Sequence, residues 1–429
     1  MLLFPFTIWE KEHRLREQFY TQTSVITQFR RGLLDAYLDD LATTLHAQGY
    51  AHASIRCSLR HCDQFGQWLD AQKYTVAEVD ETLVEQYLHR FPRSRHGRRP
   101  KAAQGLPHLI RLLRQHDIMP PPNGHGSPTA MAEWLRQYEP YLEHVRGAAA
   151  GTRKSSLLIA RRFLRACFGG APLNWEAIEA QAISDFVQQA ASTRTGGGRK
   201  LVSAGVRAVL RFLVFCGDRP PGLEAAAPTQ RQWTHAALPN RLTMEDVERV
   251  LAAYAAPIPQ HLRNRAIILL LARLGLRAHE IVTLHFEDID WREGWLCIRA
   301  GKTHRERRLP LTQEVGTALA SYLRHGRPVS TSRQVFLQLR APFRPFTNAC
   351  SVSDLARRAM IHAGLTPTPR MGAHTFRRTA ASQMVNRGVS FKDVADVLGH
   401  QSLATTALYA KLDVETLAPV ALPWPGGGA

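Results

Sequence analysis

The six cysteines of this 429-residue chain include no Cys-x-x-Cys pair, and none stands at zinc-finger spacing from a histidine. We therefore expect no structural metal and no metal cofactor. Cys57, His61 and Cys62 lie close together and resemble a ligand cluster, but they fall in a segment with helical spacing. Scattered, unpaired thiols are typical of a reducing compartment, so we expect a cytoplasmic protein.

No basic segment precedes the apolar N-terminus MLLFPFTIW, and Pro5 interrupts it. We expect neither a signal peptide nor a membrane span at this end, and no membrane partner. Residues 1–30 are interpreted as an arm that packs on a neighbour, either within the chain or on another subunit.

Acidic residues are scarce: 36 Asp and Glu stand against 55 Lys and Arg, which gives a net charge of +19. The excess is spread over both halves of the chain. Binding to a membrane surface would favour one concentrated basic amphipathic helix instead. A distributed excess favours a protein that wraps a polyanion, and double-stranded DNA is the partner we predict.

Apolar residues recur at helical spacing in four successive segments between Leu33 and the prolines that begin at Pro120. A Pro- and Gly-rich stretch follows, and then a similar series of segments extends to Pro220. The sequence therefore predicts two tandem four-helix modules, at residues 31–122 and 131–222.

The two modules also share short sequence echoes, which favour an internal duplication. Tyr37-Leu38-Asp39 is matched by Tyr141-Leu142-Glu143, and Phe65 by Phe163. Identity between the modules is low, so a chance likeness of two helical bundles stays open as the alternative.

Basic clusters lie at equivalent places in the two modules. A solvated face is the ordinary role of such clusters, but their equivalence favours contact with the phosphate backbone of DNA. The predicted DNA-binding residues are Arg93, Arg95, Arg98, Arg99, Lys101, Arg161, Arg162, Arg165, Arg199 and Lys200.

Three short motifs near the C-terminus suggest chemistry on a phosphodiester. His374 and Arg377 are three residues apart, so a helix places them on one face. A second predicted helix, residues 389–398, ends at Gly399 and presents His400. Tyr409 follows. Attack on a phosphodiester needs cations that bind the nonbridging oxygens and a nucleophile, such as a phenol, that attacks phosphorus. The three motifs together supply both.

The order His-x-x-Arg, Leu-Gly-His and a tyrosine nine residues later resembles the C-terminal signature of the tyrosine recombinase (phage integrase) family. Upstream, Arg277 with Glu280 is similar to the family's first arginine motif. The segment from Gly301 to Leu311 is similar to its Gly-Lys-x-x-Lys-x-Arg-x-x-Pro-Leu hairpin, which contains Lys302.

The resemblance implies a role for each matched residue. Tyr409 is the nucleophile that forms a 3′-phosphotyrosine, and His374 is its base or proton relay. Lys302 is the acid for the leaving 5′-oxygen. Arg277, Arg377 and His400 bind the phosphate, and no cofactor is needed. Arg378 stands where many relatives have histidine, which we expect to affect packing more than chemistry.

The family likeness also implies a fold and an assembly. We expect a mainly α protein, with two SAM-like, core-binding-type modules followed by an α-rich catalytic domain, residues 240–411, that contains a small antiparallel β-sheet. The first module either lengthens the DNA clamp or holds a partner. The tail, residues 412–429, packs on its own domain or docks on a neighbouring protomer.

The predicted function is site-specific DNA strand exchange for a mobile element, by a nucleoid-associated tetramer that acts alone or with sister recombinases. Two alternatives stay open. One is a DNA-binding accessory protein of the same fold without activity, and the other is a type IB topoisomerase-like enzyme that acts without site preference. Formation of a covalent adduct that depends on the tyrosine separates the leading function from the accessory protein.

Overall fold

A computed structural model of the chain describes residues 33–91, 105–119, 129–169, 171–194, 197–228, 241–299, 306–368, 371–400 and 406. It divides into two compact units, Met1–Pro122 with Leu238–Ala429, and Asn123–Ala237. The described residues are mainly helical, as the sequence predicts. No helix among them is long and apolar enough to cross a membrane.

The first helical module has four described α-helices around one core. Leu41, Leu45, Ile55 and Phe65 have no exposed surface in that core, and each such side chain contributes about 1.5–3 kcal/mol on burial. The helices are α1 (Asp35–Ala47), α2 (His52–Ala71), α3 (Glu81–His89) and α4 (Leu106–Gln115), with a 3₁₀ turn at Val76–Glu78.

The second module repeats this order of elements around its own core, and Phe163 of its second helix is buried there, as Phe65 is in the first module. Its 3₁₀ turn again separates the second helix from the third. The elements are α5 (Ala130–Pro140) continued by a π-helical turn (Tyr141–Val145), α6 (Ala150–Phe168), the 3₁₀ turn Trp175–Ala177, α7 (Ala180–Ser192) and α8 (Gly197–Cys216). The two modules thus share one order of elements, which is expected both of a duplication and of a chance likeness between two helical bundles.

The high Ala and Pro content of residues 220–239 predicts a linker after the second module; the described start of this segment is folded onto that module. Residues Leu223–Ala226 form a 3₁₀ turn, and Ala227 is completely buried in the second module's core. Arg207 of α8 donates a hydrogen bond to the carbonyl oxygen of Ala227 at 2.7 Å. This contact fixes the start of the linker on the module that precedes it.

The C-terminal part holds a third core, built around a helix whose second half is buried on all sides. Residues Ile267 to Ala272 of this helix are buried without interruption, so it packs against neighbours on more than one face. Its helices are α9 (Met244–Ala252), α10 (Pro259–Ala272), α11 (Ala278–Val282), α12 (Gln313–His325), α13 (Ala349–His362), α14 (Ala373–Asn386) and α15 (Phe391–Leu398).

A small antiparallel sheet of three strands lies beside these helices, in the order β1-β2-β3. The strands are β1 (Ile289–Asp290), β2 (Trp295–Ile298) and β3 (Arg307–Pro310). Leu296 of β2 pairs with Leu309 of β3, and both side chains are buried against the core. The sequence predicts two strands here, at residues 295–299 and 308–311. The structure has both, each ending one residue earlier and the second also beginning one residue earlier, and the short strand β1 was not predicted.

Thr243 followed by Asp246 predicts the start of α9, and Gly399 predicts the end of α15; the structure confirms both, whereas the predicted start of α15 is wrong. Thr243 caps α9: its hydroxyl accepts from the Asp246 amide at 3.1 Å, and the Asp246 carboxylate accepts in return. Gly399 ends α15 in the left-handed conformation, with φ of 63°. However, α15 begins at Phe391 rather than 389, because the Ser390 hydroxyl accepts from the Asp393 amide and fixes the cap there.

Candidate functional site

Arg277 stands where the buried helix α10 gives way to α11. Gly275, with φ of 63°, turns the chain between the two helices. A Cβ on this glycine would lie 2.6 Å from Leu398 Cδ2, so only glycine allows the turn to pack against the end of α15. The Arg277 side chain, 28% exposed, reaches the same end and donates from Nη2 to the carbonyl oxygen of Gly399 at 2.8 Å.

Arg377 bridges the same two segments from inside the protein. It is 4% exposed, and its Nη1 and Nη2 donate to the carbonyl oxygens of Gly275 and Leu398 at 2.5 and 2.6 Å. A buried guanidinium is costly to desolvate unless hydrogen bonds replace those of water. The two carbonyls therefore hold a fixed positive charge beside the Arg277 turn.

Glu280 organises a second guanidinium pair. The Arg277 amide and Nη1 both donate to this carboxylate, at 2.8 and 2.9 Å. Arg307 of β3 donates to it from Nη1 and Nη2, at 3.0 and 2.8 Å. Burial alone would raise the pKa of Glu280, but the hydrogen bonds and charge of Arg307, and then of Arg277, lower it below its ordinary value.

Arg307 was missed as a site residue by the sequence reasoning. The residue is 27 positions from Glu280 in sequence, and its side chain is only 9% exposed. The hairpin motif that contains Lys302 also contains Arg307, so the motif could have identified this residue. The motif does not show, however, which residue Arg307 contacts.

Glu280→Gln is expected to lower the free energy of unfolding by about 3–5 kcal/mol, since it leaves two largely buried guanidiniums without their shared counter-charge. Urea unfolding of the full chain, followed by tryptophan fluorescence, measures the change. Glu314→Gln is the matched control: its partner is Arg273 and its side chain is 41% exposed, so a loss of at most about 1 kcal/mol is expected. Equal losses in both variants would contradict the buried network.

His400 follows the left-handed Gly399 and is 9% exposed. Its amide donates to the carbonyl oxygen of Ala395 at 2.8 Å, and its Nδ1 lies 2.8 Å from the hydroxyl oxygen of the completely buried Thr406. Burial, and then the charges of Arg377, Arg277 and Arg307, lower the pKa of His400 to about 4. The ring is therefore neutral at neutral pH and retains a nitrogen, Nε2, for another partner.

The low pKa of His400 predicts a pH dependence of stability. Between its ordinary value of 6.5 and about 4, the unfolded state binds more protons than the folded state, so stability rises with pH and is lost as pH falls. The urea midpoint of His400→Gln should change less over this interval than that of the wild type. His279→Gln, at an exposed position near the site, should follow the wild-type curve, and a His400→Gln curve parallel to it would contradict the assignment.

His374 lies in the first turn of α14, three residues before Arg377, and its side chain is exposed. Desolvation by the surrounding protein, and then the charges of Arg377, Arg378 and Arg277, lower the pKa of His374. A neutral imidazole at neutral pH can accept a proton, which the predicted role of base or relay requires.

The structure thus brings four of the six predicted catalytic residues, Arg277, His374, Arg377 and His400, into one region. Lys302 and Tyr409 lie outside the described residues, as do Arg93, Arg95, Arg98, Arg99 and Lys101. The exposed surface of the second module includes Arg161, Arg162, Arg165, Arg199 and Lys200. Among the described residues, no group of three or more His, Cys, Asp or Glu side chains is arranged to hold a metal ion.

Comparison with known proteins gives three findings. Residues 240–416 match the model of the phage integrase family. The putative integrase/recombinase y4rF of Sinorhizobium fredii is 34% identical over 427 residues, which cover 99% of both chains. Tyrosine recombinase XerA of Pyrococcus furiosus is 32% identical over 181 residues, 42% of this chain and 60% of that protein.

Among solved structures, the XerH site-specific recombinase bound to palindromic difH substrate, in a post-cleavage complex, superposes with a TM-score of 0.51. The match covers 67% of this chain and 83% of that one at 18% identity. At this identity the likeness shows a shared fold.

Proposed function

Because this chain belongs to the phage integrase family of tyrosine recombinases, we propose that it cleaves and rejoins DNA strands through a 3′-phosphotyrosine link to Tyr409. One observation carries the proposal. Two guanidiniums and a neutral imidazole, from Arg277, Arg377 and His400, are held together by the turns at Gly275 and Gly399. A site of this kind stabilises developing negative charge without reorganising.

The proposed reaction starts at the phosphate. Arg277 and Arg377 bind its nonbridging oxygens, and His400 donates from Nε2 with Nδ1 directed at Thr406. The Tyr409 hydroxyl loses its proton to His374 as its oxygen bonds to phosphorus. The bond to the 5′-oxygen breaks, and Lys302 supplies the proton of the leaving hydroxyl.

Reversal of this step gives strand exchange. The phosphodiester bond energy is kept in the tyrosyl link, so a 5′-hydroxyl from another strand can displace Tyr409 without an energy source. Two duplexes need four such exchanges, for which we propose a tetramer on DNA. The exposed cations Arg161, Arg162 and Arg165 of α6 supply backbone contacts, and a mobile element is the proposed context.

A nicked duplex built from the DNA that flanks the gene tests the proposal. Cleavage near the nick releases a short fragment and traps the adduct. A radiolabel upstream of the cleavage point should migrate with protein in SDS, whereas a downstream label should leave with the free 5′-hydroxyl end. Absence of an adduct, or retention of the downstream label, overturns the proposal.

A further inference from the structure

We propose that Arg307 is a positioning residue that keeps Arg277 available to the phosphate by neutralising Glu280. This inference rests on the proposed function and goes beyond the six predicted catalytic residues. It starts from a conflict within the site. Arg277 needs free positive charge to bind a phosphate, yet its Nη1 lies 2.9 Å from a carboxylate oxygen of Glu280.

The contacts of Arg307 resolve this conflict. Each oxygen of Glu280 accepts one hydrogen bond from Arg307, so the pair forms the two-point fork that guanidinium and carboxylate favour. Arg277 makes one side-chain bond to Glu280 and uses its Nη2 on the carbonyl oxygen of Gly399. Arg307 therefore occupies the position from which Arg277 would otherwise form the fork.

The net charge of the three side chains supports the same role for Arg307. Arg277, Arg307 and Glu280 together carry one net positive charge, whereas Arg277 and Glu280 alone carry none. Both Arg307 and Glu280 are largely buried, with side chains 9% and 12% exposed, so water screens their charges poorly. Loss of Arg307 would leave the phosphate beside a neutral ion pair.

The lack of a side chain at Gly399 leaves space for the guanidinium of Arg307. A Cβ on Gly399 would lie 2.8 Å from Arg307 Nη1 and 3.3 Å from its Cζ. The glycine that presents His400 therefore also makes room for the guanidinium. Arg307 Nε is buried without a hydrogen-bond partner, so its described hydrogen bonds all go to Glu280.

A purely structural ion pair would behave differently from a charge-balancing one. If Arg307 only holds β3 in place, also replacing Glu280 slows cleavage further or leaves the rate unchanged. If Arg307 offsets the charge of Glu280, removing that charge from the Arg307 variant frees Arg277 again. Faster cleavage by the double variant than by the Arg307 variant indicates charge balancing, whereas equal or slower cleavage indicates a purely structural ion pair.

The experiment measures single-turnover cleavage of the nicked duplex by the full chain at saturating protein. We expect Arg307→Gln to slow cleavage about 100-fold, since misplacement of a catalytic group has effects of this size. The protein concentration for half-saturation should not change. Adding Glu280→Gln to Arg307→Gln should raise the cleavage rate about tenfold above that of Arg307→Gln, which is within the usual range of coupling between contacting residues.

Arg307→Lys keeps the charge but loses the fork, and it should cleave at a rate between the wild type and Arg307→Gln. Urea midpoints identify variants that are unfolded in the assay; if Arg307→Gln is one of them, the same comparison is made with Arg307→Met, which is also uncharged, and its Glu280→Gln double variant. A double variant no faster than its single parent overturns the inference. Absence of wild-type adduct overturns the proposed function instead, so the two failures are distinguishable.

Discussion

Tyr409→Phe is expected to abolish the SDS-resistant adduct while leaving DNA binding intact. The substitution removes one oxygen atom, and that oxygen is the proposed bond partner of phosphorus. Loss of a covalent nucleophile typically lowers the rate on the order of 10⁶-fold, which is below detection in a gel assay. The substitution keeps the aromatic ring and changes no charge.

The control for this prediction is Tyr74→Phe, which removes a hydroxyl from a half-buried tyrosine of the first helical module. It should form the adduct at the wild-type rate. An electrophoretic shift assay with the same duplex checks binding by all three proteins. An adduct formed by Tyr409→Phe would assign the nucleophile to another residue.

Arg377→Lys is expected to slow cleavage about 10²–10³-fold, the usual effect of losing one donor to a developing oxyanion. Lysine keeps the charge but has no planar fork. It therefore cannot hold the carbonyls of Gly275 and Leu398 and also face a phosphate. An unsatisfied buried carbonyl further lowers stability by about 1–3 kcal/mol.

Arg378→Lys is the matched control, because Arg378 is the next residue of α14 and is only half-buried. It should cleave within a few-fold of the wild type, as expected for a neighbour outside the phosphate site. Urea midpoints for both variants separate the effect on rate from the effect on stability. Equal slowing in the two variants would show that Arg377→Lys acts by disturbing α14 and not by removing a contact to the phosphate.

Sequence reasoning predicted the helical elements well where apolar spacing and a capping residue agree. The α9 cap at Thr243 and the end of α15 at Gly399 are examples, since both depend on contacts within a few residues. It failed at Val389, which is apolar but lies before the Ser390 cap. Periodicity alone could not locate that boundary.

For the candidate site, sequence order supplied the residues but not their partners. His374 and Arg377 could be paired because a helix relates positions three apart. The bonds of Arg377 to the Gly275 carbonyl and of Arg277 to the Gly399 carbonyl join residues 102 and 122 positions apart. Such contacts depend on tertiary packing, so neither they nor the sharing of Glu280 follow from spacing.

These long sequence separations have a consequence for synthesis. A chain made from its N-terminus presents its basic helical modules first, and the Arg277 turn remains without its Gly399 partner until residue 400 has emerged. Tyr409 comes later still. A chain that ends before residue 399 therefore has Arg277 and Arg377 but lacks the Gly399 carbonyl and the His400 ring, so the candidate site is incomplete until this late segment has been made.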